Sequence, residues 1–198
     1  FADVADNPGG GGRGNTTELL RALINAGAGG VQLGVMFDPA LVRDAHGAGV
    51  GANIQAHFNR EEPSPLSKPL QAPAQVIALT DGRFRATRGV LAGTQVNLGA
   101  SCLLRIGGID VAVISIRQQI CSAETLEHFG LDPAQARCLV LKSRGHFRAG
   151  FAHLVRDENI FEVDAPGLAT PNFASLPWRA LPRPLYPLDA DMEWAGPP

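Results

Sequence analysis

The stretch Phe1-Ala2-Asp3-Val4-Ala5-Asp6-Asn7-Pro8-Gly9-Gly10-Gly11-Gly12-Arg13-Gly14-Asn15-Thr16-Thr17-Glu18-Leu19-Leu20 sets the architecture. Residues 1–6 read as a short buried strand. Asn7 to Gly14 form a loop, because helix and strand are both costly for glycine. Asn15, Thr16 or Thr17 can cap the helix that follows, with Glu18 available to its first turn. Leu19, Leu20, Leu23 and Ile24 recur at helical spacing, and Gly27 to Gly30 end that helix. Val31–Phe37 reads as a second strand. Asp38-Pro39 supplies a cap and a proline at the first helical position, opening a helix through Ala45. This order predicts an α/β fold, mainly a parallel sheet with crossover helices.

The middle of the chain has a different rhythm. Residues 60–75, with Glu61-Glu62-Pro63-Ser64-Pro65, read as a loop or excursion. From Ala74 to Val113 short β-like runs alternate with turn signals, and Asp81-Gly82 and Gly107-Gly108 are hairpin-type punctuation. Antiparallel strands are expected there. The α/β rhythm then returns. Val111–Ile116 is a buried strand, Ser122–Phe129 a short helix capped by Ser122 and stopped by Gly130, and Cys138–Leu141 another buried strand. A helix begins within Lys142–Arg148, and Ile160–Val163 is a last strand. From about residue 166 prolines are frequent, and that tail is ordered only if it lies on another surface. Residues 1–198 read as one α/β domain. Its start within a strand, without Met, reads as a fragment of a longer protein whose missing part lies N-terminal.

Composition removes several function classes. The 198 residues are 45% hydrophobic and 18% charged, enough apolar content for a packed core. Net charge is −2 and the 17 Lys and Arg form no run, so no nucleic-acid partner is expected. No apolar stretch is long enough to span a bilayer, so no membrane partner is expected either. No targeting segment opens the chain. Cys102, Cys121 and Cys138 show no CxxC spacing, which argues against a disulfide framework and for a reducing, cytoplasmic setting.

Two segments can carry chemistry, since each follows a strand that reads as parallel and sites form at the carboxyl ends of such strands. The first is Asp6-Asn7-Pro8-Gly9-Gly10-Gly11-Gly12. Its glycines let backbone N–H groups approach a ligand, and the helix behind adds partial positive charge, which suits a carboxylate or phosphate. A flexible connector would have the same composition, and the pattern is neither GxGxxG nor a Walker loop. The second is Lys142-Ser143-Arg144-Gly145-His146-Phe147-Arg148. His146 could move a proton or polarise a carbonyl, and Lys142 or Arg148 could hold an anion. A solvated strand end with Ser143 as a helix cap is the plainer reading. No metal site is expected within the chain: His46, His57, His128 and His153 lack close pairing, and there is no HExxH. There is no GxSxG elbow. Cys121 and Cys138 read as core residues. Asp3 and Asp6, three apart, fall on opposite faces of a regular strand and cannot pair while it stays regular.

Asp6-Asn7-Pro8-Gly9-Gly10-Gly11, Lys142-Ser143 with His146-Phe147-Arg148, Ala165-Pro166-Gly167, and Arg183-Pro184-Leu185-Tyr186-Pro187-Leu188-Asp189 occur in that order. Together they resemble the C-terminal domain of the MlrC family, from the first strand to Asp189. The final Asp191-Met192-Glu193-Trp194 lies outside the pattern. The resemblance implies a metal-dependent, zinc-type peptidase or amidohydrolase whose metal ligands sit in an N-terminal partner domain. In the family's namesake the substrate class is linearised microcystin and its short peptide products. The resemblance implies that this domain closes over a metal housed elsewhere. It would contribute Lys142 and His146 as catalytic groups. Asp6, Asn7, Gly9, Gly10, Gly11, Gly12, Ser143 and Arg148 would meet a small peptide or amide substrate. Two other functions fit the residues: a non-catalytic module binding a small anion at the Gly-rich loop, and an interdomain or homodimer module anchored by Trp178, Tyr186 and Trp194.

Overall fold

The computed structural model describes residues 1–193 and Gly196; Trp194 lies outside the described residues. In chain order the elements are β1 (Ala2–Asp3), α1 (Glu18–Asn25), β2 (Gly29–Phe37), α2 (Pro39–Ala48), β3 (Asn53–Phe58) and β4 (Leu70–Thr80). Then follow β5 (Arg83–Arg85), β6 (Gln95–Asn97), β7 (Ser101–Ile106), β8 (Gly108–Ile114), α3 (Glu124–Glu127), β9 (Cys138–Leu141), α4 (Phe147–Phe151) and β10 (Glu162–Val163). Eight strands form one mixed sheet in the order β10-β1-β9-β2-β8-β7-β4-β3. The first five run parallel, and β7, β4 and β3 extend the sheet antiparallel. β5 and β6 make a separate two-stranded ribbon. This is the α/β fold with an antiparallel excursion that the sequence predicts.

Alternating side chains divide the core between the two faces of the sheet. Leu104, Val111, Val113 and Val140 point to the face covered by Leu20 and Leu23 of α1 and by Leu41, Val42 and Ala45 of α2. Leu103, Ala112, Ile114 and Leu141 point to the other, covered by Leu126 of α3, Phe147 and Phe151 of α4, and Val96 of the ribbon. Each fully buried Val, Leu, Ile or Phe side chain among these contributes about 1.5–3 kcal/mol. The cap of α2 forms as its sequence predicts, with Leu41 N donating to Asp38 Oδ1 at 2.9 Å. Gly107-Gly108 joins β7 to β8 as a tight hairpin.

Four local expectations need correction. The first strand is two residues long, because the chain turns away after Asp3. Asp81-Gly82 is not a hairpin turn: β4 before it pairs with β7, and β5 after it pairs with β6, so the dipeptide moves the chain between sheets. The excursion ends early, since β4 starts at Leu70 and includes Pro73; that proline lies in the half of β4 paired only with β3, where a missing N–H costs nothing on the other edge. Ser122 does not cap α3, which begins at Glu124; the Ser122 hydroxyl donates to Glu124 Oε2 instead, at 3.0 Å. Among the described residues no helix is long and apolar enough to cross a membrane.

Candidate functional site

Five parallel strands bring their carboxyl ends to one edge of the sheet, and the two segments singled out in the sequence meet there, after β1 and after β9. What joins them is a buried ion cluster. Lys142 Nζ donates to Asp3 Oδ2 at 2.9 Å, Asp6 Oδ2 at 2.8 Å and Thr16 O at 3.0 Å, and lies 3.1 Å from Thr16 Oγ1. Asp6 is further held by the N–H groups of Gly14 and Thr16 and by the Thr16 hydroxyl. Burial alone would push the Asp6 carboxyl up. The Lys142 charge and these hydrogen bonds outweigh it and hold Asp6 below the usual carboxylate range. Burial likewise pulls Lys142 down, but Asp3 and Asp6 raise it above its ordinary value. Asp3 and Asp6 can share Lys142 because the strand is not regular beyond Asp3, and a regular strand is the condition under which they stay apart.

From the sequence Lys142 is one of two residues that could hold a ligand anion. In the structure it is 2% exposed and its three protons go to the protein's own acceptors. Asp6 and Asn7 are buried too. The Gly-rich loop behaves in the same inward way. The N–H of Gly9 donates to Asn7 Oδ1, those of Gly10 and Gly12 to Asn7 O, and that of Gly11 to Pro8 O. No loop N–H from Gly9 to Gly12 is left for an anion. The start of α1 already holds a carboxylate, since Thr17 N donates to Glu18 Oε2 at 3.0 Å. Gly12 is confined by close approach, for a Cβ there would lie 2.7 Å from Asn7 N and 2.8 Å from Asp6 C.

The exposed part of the two segments at this edge comprises Gly9, Gly10, Gly11 and Arg13 on the loop and Arg144, Gly145 and His146 after β9. His146 directly precedes α4. Its Nδ1 lies 2.9 Å from Gln119 Oε1, and Gln119 Nε2 donates to the buried Ser143 Oγ at 2.7 Å. A Cβ on Gly9 would overlap Gln119 Oε1, so Gln119 lies between the loop and His146 and touches both. With Gln119 Oε1 as acceptor, Nδ1 carries the ring proton and Nε2 carries the lone pair on the ring's other edge. That edge can accept a proton. Arg148 is not part of this group: it pairs with Asp157 at 2.7 Å and Glu162 at 3.6 Å.

Gln119 was missed in the sequence. It lies in an irregular segment after β8, and only the polar pair Gln118-Gln119 beyond an apolar strand marks it. No three His, Cys, Asp or Glu side chains are grouped to hold a metal among the described residues, and both acidic groups of the site are committed to Lys142. The donor set of this edge therefore does not fit a metal. Burial pushes the Cys102 thiol up to about 12 and that of Cys121 up to about 11, which leaves both unreactive.

Comparison with known proteins adds three findings. The family described as MlrC C-terminus matches residues 1–180. Microcystinase C from Sphingomonas sp. is 28% identical over 156 residues, which is 79% of this chain and 30% of that protein. A crystal structure of an inferred metallopeptidase from Mesorhizobium sp. BNC1 superposes with a TM-score of 0.82 at 25% identity, covering 98% of this chain and 38% of that one. The chain thus spans about a third of the length of these relatives.

Proposed function

This chain belongs to the MlrC C-terminus family, and from that premise we propose that it is the C-terminal part of a longer metal-dependent peptidase or amidohydrolase. The observation that carries the reading is His146, held at Nδ1 by Gln119 and exposed at the carboxyl edge of the parallel strands beside the Gly9–Gly11 surface. In this reading the metal, zinc, is bound by an N-terminal domain, where it would polarise the scissile carbonyl.

The chain's own residues supply shape and proton handling. Gly9, Gly10 and Gly11 offer a surface without side chains on which a peptide can lie. His146 Nε2 accepts a proton from, or donates one to, a group of the substrate. Gln119 sets the direction of the imidazole, and Ser143 anchors Gln119. Lys142, Asp3 and Asp6 act at one remove, by fixing the Gly-rich loop to the end of β9. The inward hydrogen bonds of that loop weigh against the anion-binding alternative.

The test is metal content with peptidase activity, for this chain and for the longer protein, after incubation with zinc and dialysis. The reading expects metal and turnover only in the longer protein. Stoichiometric metal and hydrolysis in this chain alone would overturn it.

A further inference from the structure

We propose that a cavity of about 260 Å3 beside the Gly-rich loop is a subsite for the C-terminal residue of a peptide, one with an apolar side chain and a free carboxylate. Three features of the wall each match one part of such a residue. Arg13 lies on the wall with its side chain 46% exposed; one nitrogen pairs with Glu62 at 2.7 Å, and the others have no acceptor among the described residues. A guanidinium with spare donors fits a carboxylate. Pro65, Leu66 and Leu168 supply apolar surface, and Leu168 is 59% exposed. Asp6 also lines the cavity, but its charge is met by Lys142.

The third feature is Asn15, which is 3% exposed and whose Oδ1 has no hydrogen-bond partner. Its orientation is fixed by its neighbour. Asn59 Nδ2 donates to Ser67 O at 3.0 Å and to Ser67 Oγ at 2.6 Å, so Asn59 Oδ1 must face Asn15. Asn15 Nδ2 donates to that oxygen at 2.9 Å, and turning the amide over would set two oxygens against each other. A buried acceptor without a donor is costly, and a peptide N–H is the donor that would relieve it. Ser64 and Ser67 close a turn beside it through backbone bonds of 2.9 and 3.0 Å. Asn15 Oδ1 is closed off from the cavity by its surroundings, so a ligand N–H meets it only when that turn moves aside.

The subsite rests on the peptidase reading only for the identity of the peptide as substrate, and binding is measured without metal or turnover. Calorimetry on this chain compares N-acetyl-L-leucine with N-acetyl-L-leucinamide, N-acetylglycine and 4-methylpentanoate, which lack the carboxylate, the side chain and the N–H. The first should bind, and each of the others about tenfold more weakly. Arg13→Gln, at an exposed position, should keep the melting temperature and lose the preference for carboxylate over amide. Leu168→Ala, which removes apolar surface without adding charge, should weaken the leucine compound and leave N-acetylglycine unchanged. Absence of binding by N-acetyl-L-leucine, or an unaltered preference in Arg13→Gln, overturns the subsite. In the longer protein Arg13→Gln should raise KM with kcat kept, and an unchanged KM overturns its role with substrate. Neither result depends on His146, so failure here and failure of the hydrolase reading are separable.

Discussion

Lys142 Nζ lies 2.8 Å from Asp6 Oδ2, joining residues 136 positions apart in a site that water barely reaches. This contact, shared with Asp3, fixes the loop after β1 to the end of β9. Removing the cation alone leaves two carboxylates buried without a counter-charge. Lys142→Met should therefore cost about 3–5 kcal/mol, read as a fall in the urea midpoint with the slope unchanged. A midpoint within experimental scatter of wild type would show that the cluster does not hold the fold.

The same cluster sets a pH signature. Asp6 is held below its ordinary 3.8, so its contribution is complete above that pH and is lost as pH falls toward the folded value. Lys142 is raised above 10.5, so its contribution is complete below that pH and is lost as pH rises through the folded value. In Lys142→Met the hydrogen bonds from Gly14 and Thr16 remain but the opposing charge is gone, so burial moves Asp6 upward. The stability gap between wild type and variant should then narrow on acidification from pH 7 to about 3, as Asp6 of the variant takes up a proton. A gap that widens over that range would contradict this assignment.

Glu124 offers a second, independent titration. Burial would push its carboxyl up, but hydrogen bonds from Thr87, Ser122 and Arg88 bring it down to about 2. These bonds staple the loop after β5 to α3. Glu124→Gln should cost about 1–3 kcal/mol at neutral pH. Its effect should vanish between pH 4.5 and about 2, where wild type loses the same charge. Equal destabilisation across that range would refute the electrostatic part of this account.

Two glycines of one loop should respond differently. Gly12→Ala meets backbone, at Asn7 N and Asp6 C, and should lower the melting temperature. Gly9→Ala meets only the movable end of Gln119. It should keep the fold and displace Gln119 from His146, visible as a changed imidazole resonance. An unshifted resonance would mean that Gly9 does not control this contact.

Much of the fold was legible because β2, β8 and β9 are apolar runs and Asp38-Pro39 is a strong helix start. The hairpin at Gly107-Gly108 was legible for the same local reason. Asp81-Gly82 misled, because a turn dipeptide does not state which strands pair around it. At the site, the glycines and His146 stood out by composition. Asp3 and Gln119 did not, since their roles depend on Lys142 and His146, which are distant in sequence and reach them only through the sheet order. The partnerless oxygen of Asn15 has no sequence signal at all, as it follows from the orientation of Asn59.

The central claim is that His146 takes part in hydrolysis by the longer protein. The most direct test is steady-state turnover of a short peptide by that protein and by His146→Ala, with melting curves confirming an intact fold. The account expects kcat to fall about 100-fold or more while the melting temperature is kept. Unchanged turnover in a folded His146→Ala protein would contradict it.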